Sequence, residues 1–286
     1  MPELPEVETI KRDLSEHLIN KKIIDFVCTQ KSLLRSPLTL FKRVLVGATV
    51  KLVNRRAKLL YFELSGSYYL LIHLKMTGQL VYSTSRGKLE VGGHPIDNIK
   101  DIPNRFTYIT LVFKDGGKLF FNDVRKFGYF QMASKNELLK ILSKYGPEPL
   151  SNNFNLNIFK QNLKRRARTT IKAALLDQSI VAGLGNIYVD ESLFVSAVRP
   201  NRRTNSLSNI EKIKLYKAIK LVLNKAVKRR GTSFNSYRDG LGRKGTYWEA
   251  RLVYGRNGEK CLKCDTVIKK MVVAGRGTHY CPKCQK

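Results

Sequence analysis

Four of the five cysteines, Cys261, Cys264, Cys281 and Cys284, stand as two C-x-x-C pairs near the end of the 286-residue chain, and Cys28 stands alone. The 16-residue spacer between the pairs lies in the zinc-ribbon range. Four thiolates close a tetrahedral zinc shell with no open position, which predicts one structural Zn(2+) ion. A tail this short cannot build its own core, so metal binding would supply its folding energy. Disulfides are the alternative, but a reducing cytosol opposes them. A lone redox C-x-x-C leaves the second pair unexplained. His279 precedes Cys281 by two residues and is not needed in a shell that four sulfurs already complete. Cys28, in an apolar run, reads as a small buried hydrophobe.

The other end of the chain also carries possible chemistry, in Met1-Pro2-Glu3-Leu4-Pro5-Glu6. Removal of Met1 would expose Pro2 as a secondary amine of pKa near ~8, partly neutral and nucleophilic. Attack of that amine on an aldehyde-like sugar carbon gives an iminium, and its fixed charge is an electron sink for elimination. Glu3 beside it is a candidate general acid/base, above all if burial raises its pKa. Proline and glutamate also suit the first turn of any helix, and that plainer reading accounts for these residues by itself.

Charge narrows the partner. With 53 Lys and Arg against 22 Asp and Glu, the formal charge is +31, far beyond what solubility needs. Neutralising phosphates releases counterions, so a nucleic acid is the expected partner. The basic runs are distributed, whereas an anionic membrane surface would favour a terminal polybasic tract. Roughly six phosphate contacts would weaken binding about 10³-fold between 50 and 200 mM salt. No stretch approaches ~18 apolar residues, and Glu3, Glu6 and Glu8 stand where a secretory signal would be basic. A soluble intracellular protein with no membrane partner is expected.

The elements that must position these groups fall into three regions. Val7, Ile10, Leu14 and Leu18 recur at helical spacing, which predicts a first helix over about residues 3–18 with Pro5 in its first turn. Between about 22 and 133, β-branched and aromatic runs (Ile23–Val27, Leu59–Leu64, Tyr68–Leu74, Tyr108–Phe113, Lys118–Phe121) alternate with Gly-containing turns, as in an antiparallel β-sandwich. Lys58 falls in an alternating strand, and Ser83–Asn104 reads as a long mobile loop. Beyond Gly146-Pro147-Glu148-Pro149 the pattern turns helical, near Thr169–Gln178, over Ile187–Val195, and along a stripe of Ile213, Tyr216, Ile219, Leu223 and Val227. Residues 231–258 are rich in Gly and polar side chains, with Phe234, Tyr237, Tyr247 and Trp248 interleaved, and read as a flexible lead into the zinc ribbon. The expected class is α+β, divided as a catalytic sandwich domain over 1–134, a helical domain over 135–258 and a zinc ribbon over 259–286.

Motifs along the whole chain together resemble bacterial formamidopyrimidine-DNA glycosylases. They are Met1–Thr9, Arg55-Arg56-Ala57-Lys58, His73-Leu74-Lys75-Met76-Thr77-Gly78, Asp123-Val124-Arg125-Lys126-Phe127-Gly128, Gly146–Pro149, Val181–Tyr188, Val253–Arg256 and Gly275–Cys284. The resemblance implies a monomeric DNA-repair enzyme, cytoplasmic and nucleoid-associated. It would act on duplex DNA containing oxidised bases or abasic sites, excising 8-oxoguanine and formamidopyrimidines and then cleaving by β,δ-elimination. It also implies roles. Pro2 is the nucleophile at C1′, Glu3 the catalytic carboxylate, and Lys58 a hairpin lysine that assists excision and holds phosphate. Met76, Arg125 and Phe127 fill the gap left by an everted nucleotide, Arg125 bonding the orphaned cytosine and Phe127 wedging the next step. Without the resemblance, Met76 and Phe127 read equally well as sandwich core. Asn186, in a helix–two-turn–helix, and Arg276, in the ribbon, grip backbone phosphate.

Departures from the family pattern bear on specificity. Lys126 replaces a frequent second arginine and forfeits a bidentate phosphate contact. Arg105-Phe106-Thr107-Tyr108 stands where Lys-His-x-His is common, and Ser233–Arg251 diverges where the family carries its lesion-covering loop. An endonuclease VIII-type enzyme for oxidised pyrimidines is the nearest alternative, though Leu4 and the Asp123–Gly128 motif point away from it. A noncatalytic zinc-ribbon DNA-binding protein is the other, and joint retention of Pro2, Glu3 and Lys58 opposes it. The run Lys164–Arg168 reads as generic phosphate attraction.

Overall fold

The computed structural model describes residues 1–87, 102–232 and 245–286, and the backbone of 89–93. The chain divides into two compact units, Met1–Ser143 with Arg229–Trp248, and Lys144–Lys228 with Glu249–Lys286.

In the first unit the alternation of apolar residues builds two antiparallel sheets. One holds β1 (Ile23–Cys28), β7 (Thr107–Phe113), β8 (Lys118–Asp123), β5 (Gly78–Ser83) and β6 (Leu89–Gly93), in that spatial order. The other runs β2 (Val50–Arg56), β3 (Leu59–Leu64), β4 (Tyr68–His73), β9 (Tyr129–Ser134). Leu60, Phe62 and Leu64 of β3 share one core with Ile109, Leu111 and Phe113 of β7, because a period of two turns every second side chain inward. Helix α1 (Leu4–Leu18) adds Val7, Ile10, Leu14 and Leu18 to that core, all buried, and Phe41 and Leu45 of α2 (Leu38–Leu45) complete it. Each such side chain contributes about 1.5–3 kcal/mol on burial, which fixes where α1 begins and so where Pro2 and Glu3 stand. Helix α3 (Lys135–Leu142) follows β9, started by a Ser134 cap that accepts from Glu137 N.

The second unit is helical with a terminal hairpin: α4 (Leu156–Lys164), α5 (Ile171–Leu176), α6 (Asn186–Val195), α7 (Asn209–Lys228), then β10 (Lys269–Val273) paired with β11 (Arg276–Tyr280). No helix of the described residues is long and apolar enough to cross a membrane.

The architecture is the expected α+β arrangement, with local corrections. Within Ser83–Asn104, residues 89–93 form β6 and pair with β5, so this stretch is not one long loop; residues 88 and 94–101 lie outside the described residues. On α7 the buried face is Leu215, Ala218, Ile219, Val222, Leu223 and Ala226. Ile213, Tyr216 and Val227 are only half-buried, because two small alanines on the packed side rotate the stripe away from the larger residues. The lead into the ribbon is anchored as well: Tyr247 and Val253 are fully buried, Tyr247 opening a short 3-10 turn. Residues 233–244, with Phe234 and Tyr237 and most of the loop assigned to covering the lesion, lie outside the described residues.

Candidate active site

In the first unit the candidate groups surround the start of α1. Glu3 has extended backbone (φ −102°, ψ −170°) and Leu4 opens the helix. Glu6, three residues on, closes the turn: its Oε2 accepts from Glu3 N at 2.9 Å. Its Oε1 accepts from Thr232 N at 2.7 Å and Thr232 Oγ1 at 3.0 Å. Pro2, Glu3 and Glu6 are all buried. The amine at Met1 is held below its usual range chiefly by burial and by the positive charges of Lys58 and Arg125, against an upward pull from Glu3 and Glu6. An amine in this place is therefore more often neutral, as a nucleophile must be.

Lys58 approaches from a hairpin tip. Arg56 pairs with Leu59, so Ala57 and Lys58 form a two-residue turn, with Ala57 in the left-handed region (φ 54°). The left-handed residue ends the strand early, which corrects the placement of Lys58 within alternating β-structure. It is no solvent-facing cation either, at 7% exposure. Arg55 braces the turn, donating from Nη1 to Ala57 O at 2.8 Å and from Nε to Glu8 Oε2 at 3.0 Å. Burial pushes the Glu8 carboxyl up, but the charge and hydrogen bond of Arg55, with Arg12 and Lys11, outweigh it and hold Glu8 below its usual range.

Two loops project from the sandwich and are tied to one buried carboxylate, Asp123. Its Oδ1 accepts from Thr77 Oγ1 and, at 3.1 Å, from Arg125 N; its Oδ2 accepts from Gly128 N at 2.7 Å. This clip holds the β4–β5 loop and the β8–β9 loop side by side while their tips stay open. Met76 is 38% and Phe127 51% exposed, so neither is sandwich core. Arg125 lies over the Phe127 ring at 4.7 Å, and Lys126, at φ 55°, points its ammonium over Tyr108 at 5.1 Å. Gly128 has no room for a side chain, since a Cβ there would stand 2.5 Å from Phe121.

Beside Lys58 lies His73, whose Nδ1 accepts from Lys75 N at 3.0 Å. Burial, together with the charges of Lys75, Lys58 and Arg35, drives its pKa down to about 3. Arg35 in turn stacks on Tyr129, 3.3 Å from the ring centroid. The result is a cationic surface with a neutral imidazole inside it.

In the second unit, Gln178 fastens the glycine-rich turn between α5 and α6, accepting from Gly183 N and donating to Leu184 O, both at 2.8 Å. The turn delivers Asn186 to the first position of α6, where its Nδ2 donates to Gly277 O in the ribbon at 2.9 Å. Val273 pairs with Arg276 across Ala274 and Gly275, both at positive φ, a two-residue turn of the type that matches strand twist. Asn186 and the exposed Arg276 are thereby brought together on either side of Gly277. A buried ion pair sets this contact: Lys172 Nζ stands 2.6 Å from Asp190 Oδ1, and Asp190 Oδ2 accepts from His279 N at 2.9 Å. Next to it, buried Glu191 accepts from Leu252 N, Val253 N and Tyr254 N at 2.8–2.9 Å.

The ribbon sulfurs fit a zinc ion. The four Sγ atoms lie within 4.8 Å of one another, with Cys261–Cys284 at 3.9 Å, Cys264–Cys281 at 3.5 Å and Cys264–Cys284 at 3.4 Å. A tetrahedral shell with Zn–S of about 2.3 Å requires roughly 3.8 Å between sulfurs, and disulfides at about 2.05 Å are excluded. His279 bonds to Asp190 and stays outside the set. Cys28 is half-buried against the sandwich core, its thiol pushed up mainly by burial, as an inert packing residue would be.

Comparison with known proteins gives the same parts in the same order. The formamidopyrimidine-DNA glycosylase N-terminal domain matches residues 1–130, the H2TH domain of that glycosylase residues 145–238, and the zinc finger found in FPG and IleRS residues 258–286. The chain belongs to the formamidopyrimidine-DNA glycosylase family. Family members include the Herpetosiphon aurantiacus protein, 38% identical over 296 residues with both chains fully covered, and a Bacillus cereus protein, 38% identical over 292 residues, covering 100% of this chain and 99% of that one. Among solved structures of the family, the Lactococcus lactis Fpg complex with abasic-site DNA superposes with a TM-score of 0.88 at 36% identity, covering 99% of each chain. A variant of that Fpg bound to Fapy-dG DNA superposes at 0.89, covering both chains completely.

Three groups in this family site escape a sequence reading. Glu6 carries a readable signal, the three-residue spacing of a capping box. His73 lies in a quoted motif, yet nothing in the sequence reveals that its ring is buried among cations. The Lys172–Asp190 pair has no local signature at all, since the partners meet through tertiary packing.

Proposed function

We propose that this chain is a bifunctional DNA-repair glycosylase and abasic-site lyase that excises oxidised purines, 8-oxoguanine and formamidopyrimidines, from duplex DNA. The mature Pro2 amine attacks C1′ of the damaged nucleoside as the base departs, and the C1′–O4′ bond then opens with O4′ protonated, leaving an iminium between proline and the ring-opened deoxyribose. Glu3 relays protons at the sugar, and Lys58 assists departure of the base and holds the adjacent phosphate. The iminium then draws electrons through β- and δ-elimination, leaving phosphate ends. Met76, Arg125 and Phe127 occupy the space of the everted nucleotide, with Lys126 beside them on the backbone. Asn186 and Arg276 grip phosphate, and Cys261, Cys264, Cys281 and Cys284 hold one structural zinc. Residues 1–134 carry the chemistry, 135–258 the helical DNA contacts and 259–286 the ribbon. The enzyme works in the cytosol, at the nucleoid.

The observation that carries this reading is a buried Pro2–Glu3 step at the start of α1, in the electrostatic reach of Lys58 and Arg125. Borohydride reduction on an 8-oxoguanine duplex, followed by intact-mass measurement, tests it directly. A covalent adduct is expected on the chain that lacks Met1, and full trapping on a chain with a blocked or extended N-terminus rules the nucleophile out. Parallel excision assays on 8-oxoguanine and thymine glycol duplexes fix the lesion class, and a strong preference for thymine glycol overturns the purine assignment.

A further inference from the structure

The second unit contains a cavity of about 450 Å³ between α4, the 3-10 turn Thr204–Ser206 and the start of α7. Its rim carries three lysines, Lys160 and Lys164 from α4 and Lys212 from α7. Among the described residues none of the three ammonium groups has a hydrogen-bond or ion-pair partner. Nearby carboxylates are occupied elsewhere: Glu211 by Arg202 and by Ser208 N at 2.7 Å, Asp177 by Arg166 at 2.6 Å. The lining also includes half-buried Ala167, with Leu163 buried behind the surface, and the exposed amides of Asn157 and Asn205.

A single inorganic phosphate would leave most of this volume empty. A duplex backbone passing over the surface would meet the lysines but leave Ala167 uncovered. Lysines act as point charges that suit phosphate oxygens, and an apolar side chain with flanking amides suits a flat heterocycle with hydrogen-bonding edges. We propose that this cavity binds a nucleoside polyphosphate, its phosphates on Lys160, Lys164 and Lys212 and its nucleoside against Ala167 between Asn157 and Asn205.

Calorimetric titration of the zinc-loaded full chain with ATP and with inorganic tripolyphosphate provides the test. Lys160→Gln/Lys212→Gln should weaken ATP binding about tenfold or more, as two charge-assisted contacts are lost. Lys214→Gln/Lys217→Gln removes the same charge from an exposed part of α7 and should cost no more than about twofold. Ala167→Phe, which fills the nucleoside position without changing charge, should abolish ATP binding while excision on lesion duplex persists. Tripolyphosphate should bind about tenfold more weakly than ATP, for want of the nucleoside contacts. Equal losses in the two double variants would show diffuse attraction to a basic protein, and equal affinity for the two probes would deny a nucleoside subsite. A loss of duplex affinity matching the loss of ATP affinity would make the cavity a DNA contact. Each of these three results overturns the proposal.

Discussion

One oxygen of Glu6 takes both hydrogen bonds that Thr232 can donate, from N at 2.7 Å and from Oγ1 at 3.0 Å, across 226 residues of sequence. The other oxygen accepts from Glu3 N, so a single carboxylate joins the start of α1 to the segment after α7. Gly231 makes the approach feasible: a Cβ there would fall 2.6 Å from Glu6 Oε1, and its φ is +79°. Glu6→Ala removes the carboxylate that accepts from Glu3 N and Thr232 N, at a cost of about 1–3 kcal/mol in urea denaturation. Excision should fall by more than stability alone explains, because the backbone of Glu3 loses its tether. Thr232→Val removes one bond, should cost about 1 kcal/mol, and should spare most activity.

Met76 and Phe127 separate a DNA-contact role from a packing role. Both are exposed on loops held by Asp123. Met76→Ala and Phe127→Ala should therefore shift unfolding free energy by no more than about 0.5 kcal/mol. A core position would lose about 2–5 kcal/mol on the same truncation. Excision from a lesion duplex should nonetheless drop markedly, since the unstacking cost of base eversion would no longer be offset. Unchanged turnover on the duplex would show that these side chains fill no gap.

What the sequence made legible follows from the range of each signal. The first helix, the alternating strands of the sandwich and the four cysteines are local patterns, and the structure keeps them. Lys58 was legible as a candidate but not as a turn residue, because nothing in Arg55–Lys58 announces that Ala57 takes a left-handed backbone. The face of α7 was misjudged because Ala218 and Ala226 are apolar yet small, and a stripe drawn through large residues passes them by. Asp123 shows why the two projecting loops were less legible: its partners Thr77 and Gly128 come from different loops, and only the folded sheet brings them together.

His73 gives the fold a pH dependence with a definite sign. Its usual pKa of 6.5 falls to about 3 in the folded chain, through burial first and then Lys75, Lys58 and Arg35. Between those values the unfolded chain binds a proton that the folded chain refuses, so stability is lost as pH falls from 6.5 towards 3. Above 6.5 both states are neutral at this residue, and it contributes no slope. The loss amounts to about 1.4 kcal/mol per pH unit from this one group. His73→Asn keeps an acceptor for Lys75 N but cannot titrate. Urea midpoints of the two proteins between pH 4 and 7 (a window set on the order of these pKa values) should converge or cross as the medium is acidified, with the wild type losing more. Parallel curves would mean that the ring is protonated in the folded state.

The Lys172–Asp190 pair is an interior charge contact of the second unit. Both side chains are fully buried, and Asp190 also holds His279 N while Asn186 holds Gly277 O, so the pair lies behind the placement of Arg276. Removing one partner strands the other in a dry interior, and Lys172→Met alone should cost about 3–5 kcal/mol. The double variant Lys172→Met/Asp190→Leu leaves no orphaned charge and should recover much of that stability. It also gives up the acceptor for His279 N, so the ribbon hairpin loses one of its anchors to α6 and keeps the Asn186–Gly277 bond. The double variant should therefore bind zinc and fold, yet hold lesion duplex more weakly and with a shallower salt dependence, since a displaced Arg276 makes one phosphate contact fewer. Wild-type affinity and an unchanged salt slope in a well-folded double variant would assign the pair to stability alone.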